Sequence, residues 1–164
     1  MARIFIAIRF NDEFKEKLVE IQDSLKSRGV TGNYCSYDNL HMTLAFIGEH
    51  YDLPAIRKAV SEVEFEPFDL SLGNLGTFPT KAGVIWCGVK DRTSATSLAN
   101  QLRERLTANG VLFSTLGFVP HISLVQHPSE ITADIAVPDA TMRVEKIFIM
   151  KSERIDGQLI YSEI

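Results

Sequence analysis

Two cysteines, Cys35 and Cys87, in 164 residues are too few for a disulfide framework, and they lack the clustered spacing of a zinc site. Both read as reduced thiols, with Cys87 buried in the apolar run Ile85-Trp86-Cys87. No apolar stretch approaches the length of a membrane span. The start, Met1-Ala2-Arg3-Ile4-Phe5-Ile6, enters a strand-like run without signal-peptide anatomy. Together these absences predict a cytoplasmic protein. An excess of positive charge is also missing: the formal net charge is -4, so electrostatics alone would not coat long nucleic acid. A small phosphate ligand in a locally positive pocket stays compatible with that charge, which favours a terminus or a nucleotide over a duplex. Low-complexity tracts and linkers are lacking as well, and the length fits a single domain, residues 1–164, with a substantial core.

What is present is an alternation of strand-like and helix-like segments. Arg3 to Arg9 is β-branched and aromatic and predicts a strand. Asn11 and Asp12 offer cap chemistry for a helix to about Lys26, with Phe14, Leu18, Ile21 and Leu25 on one face. A second helix is expected from Leu53 to about Glu64, with Pro54 in its first turn. A third runs from Thr93 to Asn109, with Leu98, Leu102 and Leu106 spaced for one face. Between and after them, strands are expected at 68–72, 75–78, 83–89, 142–151 and 159–164, the last two joined by a turn at Asp156-Gly157.

Two further strands carry the informative pattern. Asn39-Leu40-His41-Met42-Thr43-Leu44-Ala45-Phe46 and Val119-Pro120-His121-Ile122-Ser123-Leu124-Val125 each hold a histidine, an apolar residue and a hydroxyl residue. In an extended strand, residues i and i+2 share a face. His41 and Thr43 are thus expected on one side, and Leu40, Met42, Leu44 and Phe46 on the other. His121 and Ser123 are expected opposite Ile122 and Leu124. The motifs lie about half the chain apart, and each half supplies a long helix and several strands. The expected fold is therefore α+β, with two pseudo-symmetric lobes, each giving one histidine strand to a shared groove. Imidazole is the side chain whose ordinary pKa lies nearest neutrality, so a pair can serve as base and acid in one turnover.

The segments 39–48 and 118–124 resemble the paired motifs of the 2H phosphoesterase superfamily, in its RNA 2′,3′-cyclic phosphodiesterase (2′-5′ RNA ligase-like) branch. Arg3–Ile8, Gly83–Val89, Ile149–Ser152 and Tyr161–Ile164 extend the resemblance over the chain in the expected order. It implies antiparallel sheets facing a central cleft with helices outside. It also implies hydrolysis of a 2′,3′-cyclic phosphate to a 2′-phosphate, on RNA ends or small nucleotides, without metal or cofactor. His41 would be the proton donor and His121 the proton acceptor, with Thr43 and Ser123 binding phosphate. A monomer with no obligate protein partner is expected. One departure stands out. Members of this branch often carry arginine three residues after the second hydroxyl, where this chain has Gln126, which brings no charge and no guanidinium fork. A nucleotide-binding module without chemistry, and an RNA ligase running the reverse reaction, are the rival readings.

Other residues receive plainer expectations. His50 and His127 read as loop histidines, His127 with a secondary chance of supporting phosphate in place of the arginine. Trp86 and Phe46 read as core. Tyr34, Tyr37 and Phe118, just before the motifs, could contact a base or ribose. Arg103, Glu104 and Arg105 read as the wet face of the third helix, and Arg3, Arg9, Lys81 and Arg143 as candidates for extra phosphate contacts.

Overall fold

Chain order alternates strands and helices, and the strands sort into two antiparallel sheets. The computed structural model describes residues 2–78, 83–132 and 134–164. The strands are β1 (Arg3–Arg9), β2 (Asn33–Tyr34), β3 (His41–Gly48), β4 (Phe68–Phe78), β5 (Val84–Val89), β6 (Ile122–Gln126), β7 (Thr141–Val144), β8 (Phe148–Ile155) and β9 (Gln158–Glu163). The helices are α1 (Asp12–Ser27), α2 (Leu53–Ser61) and α3 (Arg92–Ala108). One sheet has the order β3-β1-β8-β9 and the other β2-β6-β5-β4-β7. The α+β, two-sheet expectation is met. The halves correspond as β1-α1-β3 and β5-α3-β6, each ending in a motif strand beside the strand that opened it.

The helices begin where side-chain oxygens can take their free N–H groups. Asn11 Oδ1 accepts from Phe14 N at 2.9 Å, Asp52 Oδ1 from Ala55 N at 3.2 Å, and Asp91 Oδ1 from Thr93 N at 3.0 Å. Phe14, Leu18, Ile21 and Leu25 of α1 are all buried in one core with Ile4, Ile6 and Ile8 of β1 and Leu98, Leu102 and Leu106 of α3. Each such burial stabilises by about 1.5–3 kcal/mol. The opposite face of β1 supplies a smaller cluster, Phe5 and Ala7 with Met150, against which Phe148 and Tyr161 pack. That second face floors the cleft.

Four boundaries differ from expectation, the first in the second motif, where β6 begins at Ile122 and leaves His121 just before the strand. α2 ends at Ser61 rather than near Glu64: Glu62 caps it with its N–H on Lys58 O and Ala59 O, and Glu64 N–H bonds the Gln101 side chain instead. The expected strands 68–72 and 75–78 are one strand, β4, whose pairing with β5 slips between Leu72 and Leu75. The expected strand 142–151 is two: β7 pairs with β4 in one sheet, and β8 pairs with β1 in the other. Residues 145–147 form the crossover. The β8–β9 hairpin turns at Asp156-Gly157 as expected, both with positive φ (51° and 80°).

Candidate active site

The two motif strands share a defect. β3 pairs with β1 as Ala7↔Thr43 and then Ile6↔Ala45, so Leu44 is an extra residue. β6 pairs with β5 as Trp86↔Ser123 and then Ile85↔Val125, so Leu124 is extra in the same way. Each bulge lies three residues beyond its histidine. A bulge inserts one residue and reverses the alternation after it. Leu44 and Ala45 are therefore both buried, as are Leu124 and Val125. The residues that follow turn to the histidine side. Phe46, expected on the apolar back, is 41% exposed instead, opposite Phe5 in the ladder and lining the groove beside His41. Gln126, the counterpart of Phe46, is exposed and pairs with Val84.

Both imidazoles are oriented alike. His41 Nδ1 lies 2.7 Å from Asn39 O, and His121 Nδ1 lies 2.6 Å from Val119 O. A carbonyl can only accept, so in each ring Nδ1–H is the donor and Nε2 carries the lone pair. On His41 that lone pair receives the Thr43 hydroxyl at 2.7 Å. Asn39 is itself fixed, its side-chain Nδ2 donating to Leu159 O at 2.9 Å. Aromatic rings hold both imidazoles in place. His41 sits 4.9 Å from Phe5 and 5.2 Å from Tyr161 between ring centres, and His121 sits 4.9 Å from Phe78 and 5.9 Å from Trp86. Trp86, expected in the core, therefore packs against a motif histidine. Gly76 lies opposite it in the ladder, and a Cβ there would collide with the indole.

Burial governs the charge state. It pushes the His41 imidazole down to about 4 from an ordinary 6.5, partly opposed by the bond to Asn39, and the nearby charge of His121 pushes the same way. His121 is also lowered, first by burial and against the bond to Val119. Each ring is therefore neutral near pH 7. β3 and β6 run close together although they belong to different sheets, and His41 and Thr43 of the first motif line a groove.

A groove of about 530 Å³ opens on the His41 side, lined by Arg3, Phe5, His41, Thr43, Phe46, Arg154 and Tyr161 among others. Arg3 reaches it while paired to Glu49 at 3.4 Å. The other candidate cations are engaged elsewhere: Arg9 pairs with Glu163 and Arg143 with Asp69, each at 3.3 Å. Lys81 lies outside the described residues. The aromatic candidates before the motifs also serve other ends. Tyr34 OH donates to Val30 O, Tyr37 OH donates to Asp12, and Phe118 packs against the Arg103 guanidinium. His127 opens the loop after β6 with φ of 53°, and its N–H bonds Gly83 O. Arg103 is not on the wet face of α3: its Nε donates to Leu44 O at 3.3 Å and its Nη1 to Leu116 O at 2.9 Å. Among the described residues no helix is long and apolar enough to cross a membrane.

Residues 15–156 match the family model described as the 2′-5′ RNA ligase superfamily. An RNA 2′,3′-cyclic phosphodiesterase of Thermotoga maritima is 30% identical over 167 residues, spanning 92% of this chain and 86% of that protein. One of Archaeoglobus fulgidus is 38% identical over 113 residues, spanning 66% of this chain and 63% of that protein. In three dimensions the chain is similar to E. coli LigT in its apo form, with a TM-score of 0.84 at 26% identity over 99% of this chain and 94% of that one. The same protein complexed with phosphate gives a TM-score of 0.80 at 25% identity, again over 99% of this chain and 93% of that one. With a family model spanning most of its length and a curated relative matched nearly end to end, the chain belongs to the 2′-5′ RNA ligase superfamily.

Proposed function

We propose that this protein hydrolyses 2′,3′-cyclic phosphates of RNA ends or small nucleotides to 2′-phosphates, with His41 as proton donor and His121 as proton acceptor. The observation that supports the reading is the matched pair of imidazoles, each fixed through Nδ1 to a backbone carbonyl, one opening β3 and the other just before β6, two strands that run close together. The names of the relatives give the substrate class, and the phosphate complex of E. coli LigT supports a phosphate site in this fold.

The roles follow from where a nucleoside fits. The groove is lined by His41 and leads away along its sheet, so the ribose lies on that side and its 3′-oxygen departs toward His41. In-line displacement then puts the attacking water on the opposite side, toward His121. His121 takes a proton from water as the new P–O bond forms. His41 gives one to the ribose oxygen as the old bond breaks. Thr43 and Ser123 donate hydrogen bonds to the non-bridging oxygens as their charge grows. An imidazolium held down near 4 releases its proton readily, and the phosphodiester anion beside it supplies the attraction that lets it carry one.

The experiment is a panel of 2′,3′-cyclic mononucleotides and cyclic-ended oligonucleotides with EDTA present, the product regiochemistry read by phosphorus NMR. A 2′-phosphate product is expected, with turnover abolished in His41→Ala and in His121→Ala. Near-normal turnover in either variant overturns the two-histidine mechanism. Tight nucleotide binding without hydrolysis would favour a binding module, for which the uncharged Gln126 is the specific argument. Joining of cyclic and 5′-hydroxyl ends would identify a ligase.

A further inference from the structure

We propose that Gln22 and Arg103 form a reciprocal clamp across the two halves of the molecule, and that this clamp sets the separation of the two imidazoles. The inference rests on the two-histidine reading and adds positioning residues to it. Gln22 projects from α1, which follows β1 in the first half, yet α1 packs against β6 of the second. Its Nε2 donates to Leu124 O at 3.0 Å and to Cys35 O at 2.9 Å. Arg103 projects from α3 of the second half, which packs against β3 of the first. It donates to Leu44 O and Leu116 O.

The two sets of acceptors correspond. Leu44 and Leu124 are the bulged residues of the motif strands, each three beyond its histidine. Cys35 and Leu116 lie on the segments leading into His41 and His121. Each side chain thus ties the bulge of one motif strand to the approach of the other. The backbone makes the same exchange beside them: Cys35 N–H bonds Leu124 O at 2.9 Å, and Ser114 N–H bonds Phe46 O at 2.8 Å.

Chemistry suits both residues to the task. Gln22 is 4% exposed, and a buried amide stays only where its donors are used. Arg103 is braced between Phe113 and Phe118, each ring centre 5.7 Å from its guanidinium carbon, so its planar fork arrives oriented. Bulges are where a strand can re-aim its side chains. Fixing both bulge carbonyls from the opposite half therefore fixes the aim of both Nε2 atoms.

Gln22→Met keeps side-chain length, Arg103→Met keeps an unbranched apolar stem, and both remove the donors; Arg103→Lys keeps one donor nitrogen. Ile56→Val, in the buried face of α2, is the control for general loss of stability. On a 2′,3′-cyclic mononucleotide, both Met variants are expected to lose about ten- to hundredfold in kcat. KM should stay within about threefold, Arg103→Lys should recover part of the loss, and Ile56→Val should keep wild-type kcat. Histidine NMR titrations should show His41 and His121 displaced in the Met variants alone. Folded Met variants with wild-type kcat, or with unchanged imidazole titrations, overturn the clamp. If Gln22→Met does not fold, the Arg103 pair decides. If the wild type hydrolyses no cyclic phosphate, the proposed reaction fails, and the imidazole titrations alone settle the clamp.

Discussion

Acid should expose the cost of keeping His41 neutral. Its imidazole is held at about 4 in the folded protein against an ordinary 6.5, so the unfolded chain binds this proton first as the pH falls. Stability is lost wherever the unfolded state binds more protons. The contribution of His41 is therefore whole above about pH 6.5, falls between there and about pH 4, and is gone below. At 1.36 kcal/mol per pH unit the whole contribution is roughly 3 kcal/mol, a large part of a typical domain's stability. His121, also lowered by burial from the ordinary imidazole value, adds its own loss as the pH falls. The quantity to measure is thus a difference: urea unfolding of the wild type minus that of His41→Asn, at a series of pH values. Asn can still donate to the Asn39 carbonyl but does not titrate. The difference should shift against the wild type by roughly 3 kcal/mol from pH 7 to pH 4. Parallel curves would refute the claim that burial holds this ring neutral. Inorganic phosphate should flatten the difference, because an anion in the cleft favours the imidazolium.

Activity should follow the same electrostatics. Since both imidazoles are lowered by burial, the bell of kcat/KM should centre on the acid side of 6.5, with the bell of kcat displaced to higher pH by the bound anion; coincident profiles would count against this. Thr43→Ala and Ser123→Ala should each slow kcat by about ten- to hundredfold, less than loss of a histidine, since each removes one of several phosphate hydrogen bonds; steady-state kinetics decides. Gln126→Arg, at an exposed position just past the bulge, should raise kcat/KM for cyclic phosphates by about tenfold through a charge-assisted contact, and a fall would show that this position does not face the phosphate. Gly76→Ala should dislodge Trp86 from His121, lowering stability by about 1–3 kcal/mol and quenching turnover; wild-type tryptophan fluorescence in the variant would contradict the packing.

The motif spacing made the histidines and hydroxyls legible, because period-2 geometry needs no tertiary information. Helix caps and apolar stripes were legible for the same local reason. Phe46 and Arg103 were not, and each has its own cause. A bulge shifts the register by one, so alternation counted from His41 sends Phe46 to the wrong face. A signal was present: both motifs run two apolar residues together after the hydroxyl, Leu44-Ala45 and Leu124-Val125, where strict alternation allows one. Arg103 reads as solvated from its helix alone, while one acceptor, Leu44 O, lies on a strand 59 residues away in sequence and the other, Leu116 O, in the irregular segment after α3. The split of 142–151 between sheets was hidden likewise, since nothing local says that two strands compete for one segment. Trp86 was misplaced because Gly76, which makes its room, lies across the ladder.

Two independent lobes could hold one histidine each and still leave their relative distance soft. In this chain the helix of each half lies on the motif strand of the other, and one core includes both halves. Opening the cleft therefore costs buried apolar contacts on both sides at once, as well as the bonds of Gln22 and Arg103. Such a seam resists gradual deformation, since packed cores do not stretch by fractions of an ångström without losing contact. The proposed acid–base pair needs that stiffness, because in-line transfer fails when either Nε2 drifts from the line through phosphorus. The exchange of helices thus gives a physical reason for building the site at the junction of two half-structures, where neither sheet could set the distance alone.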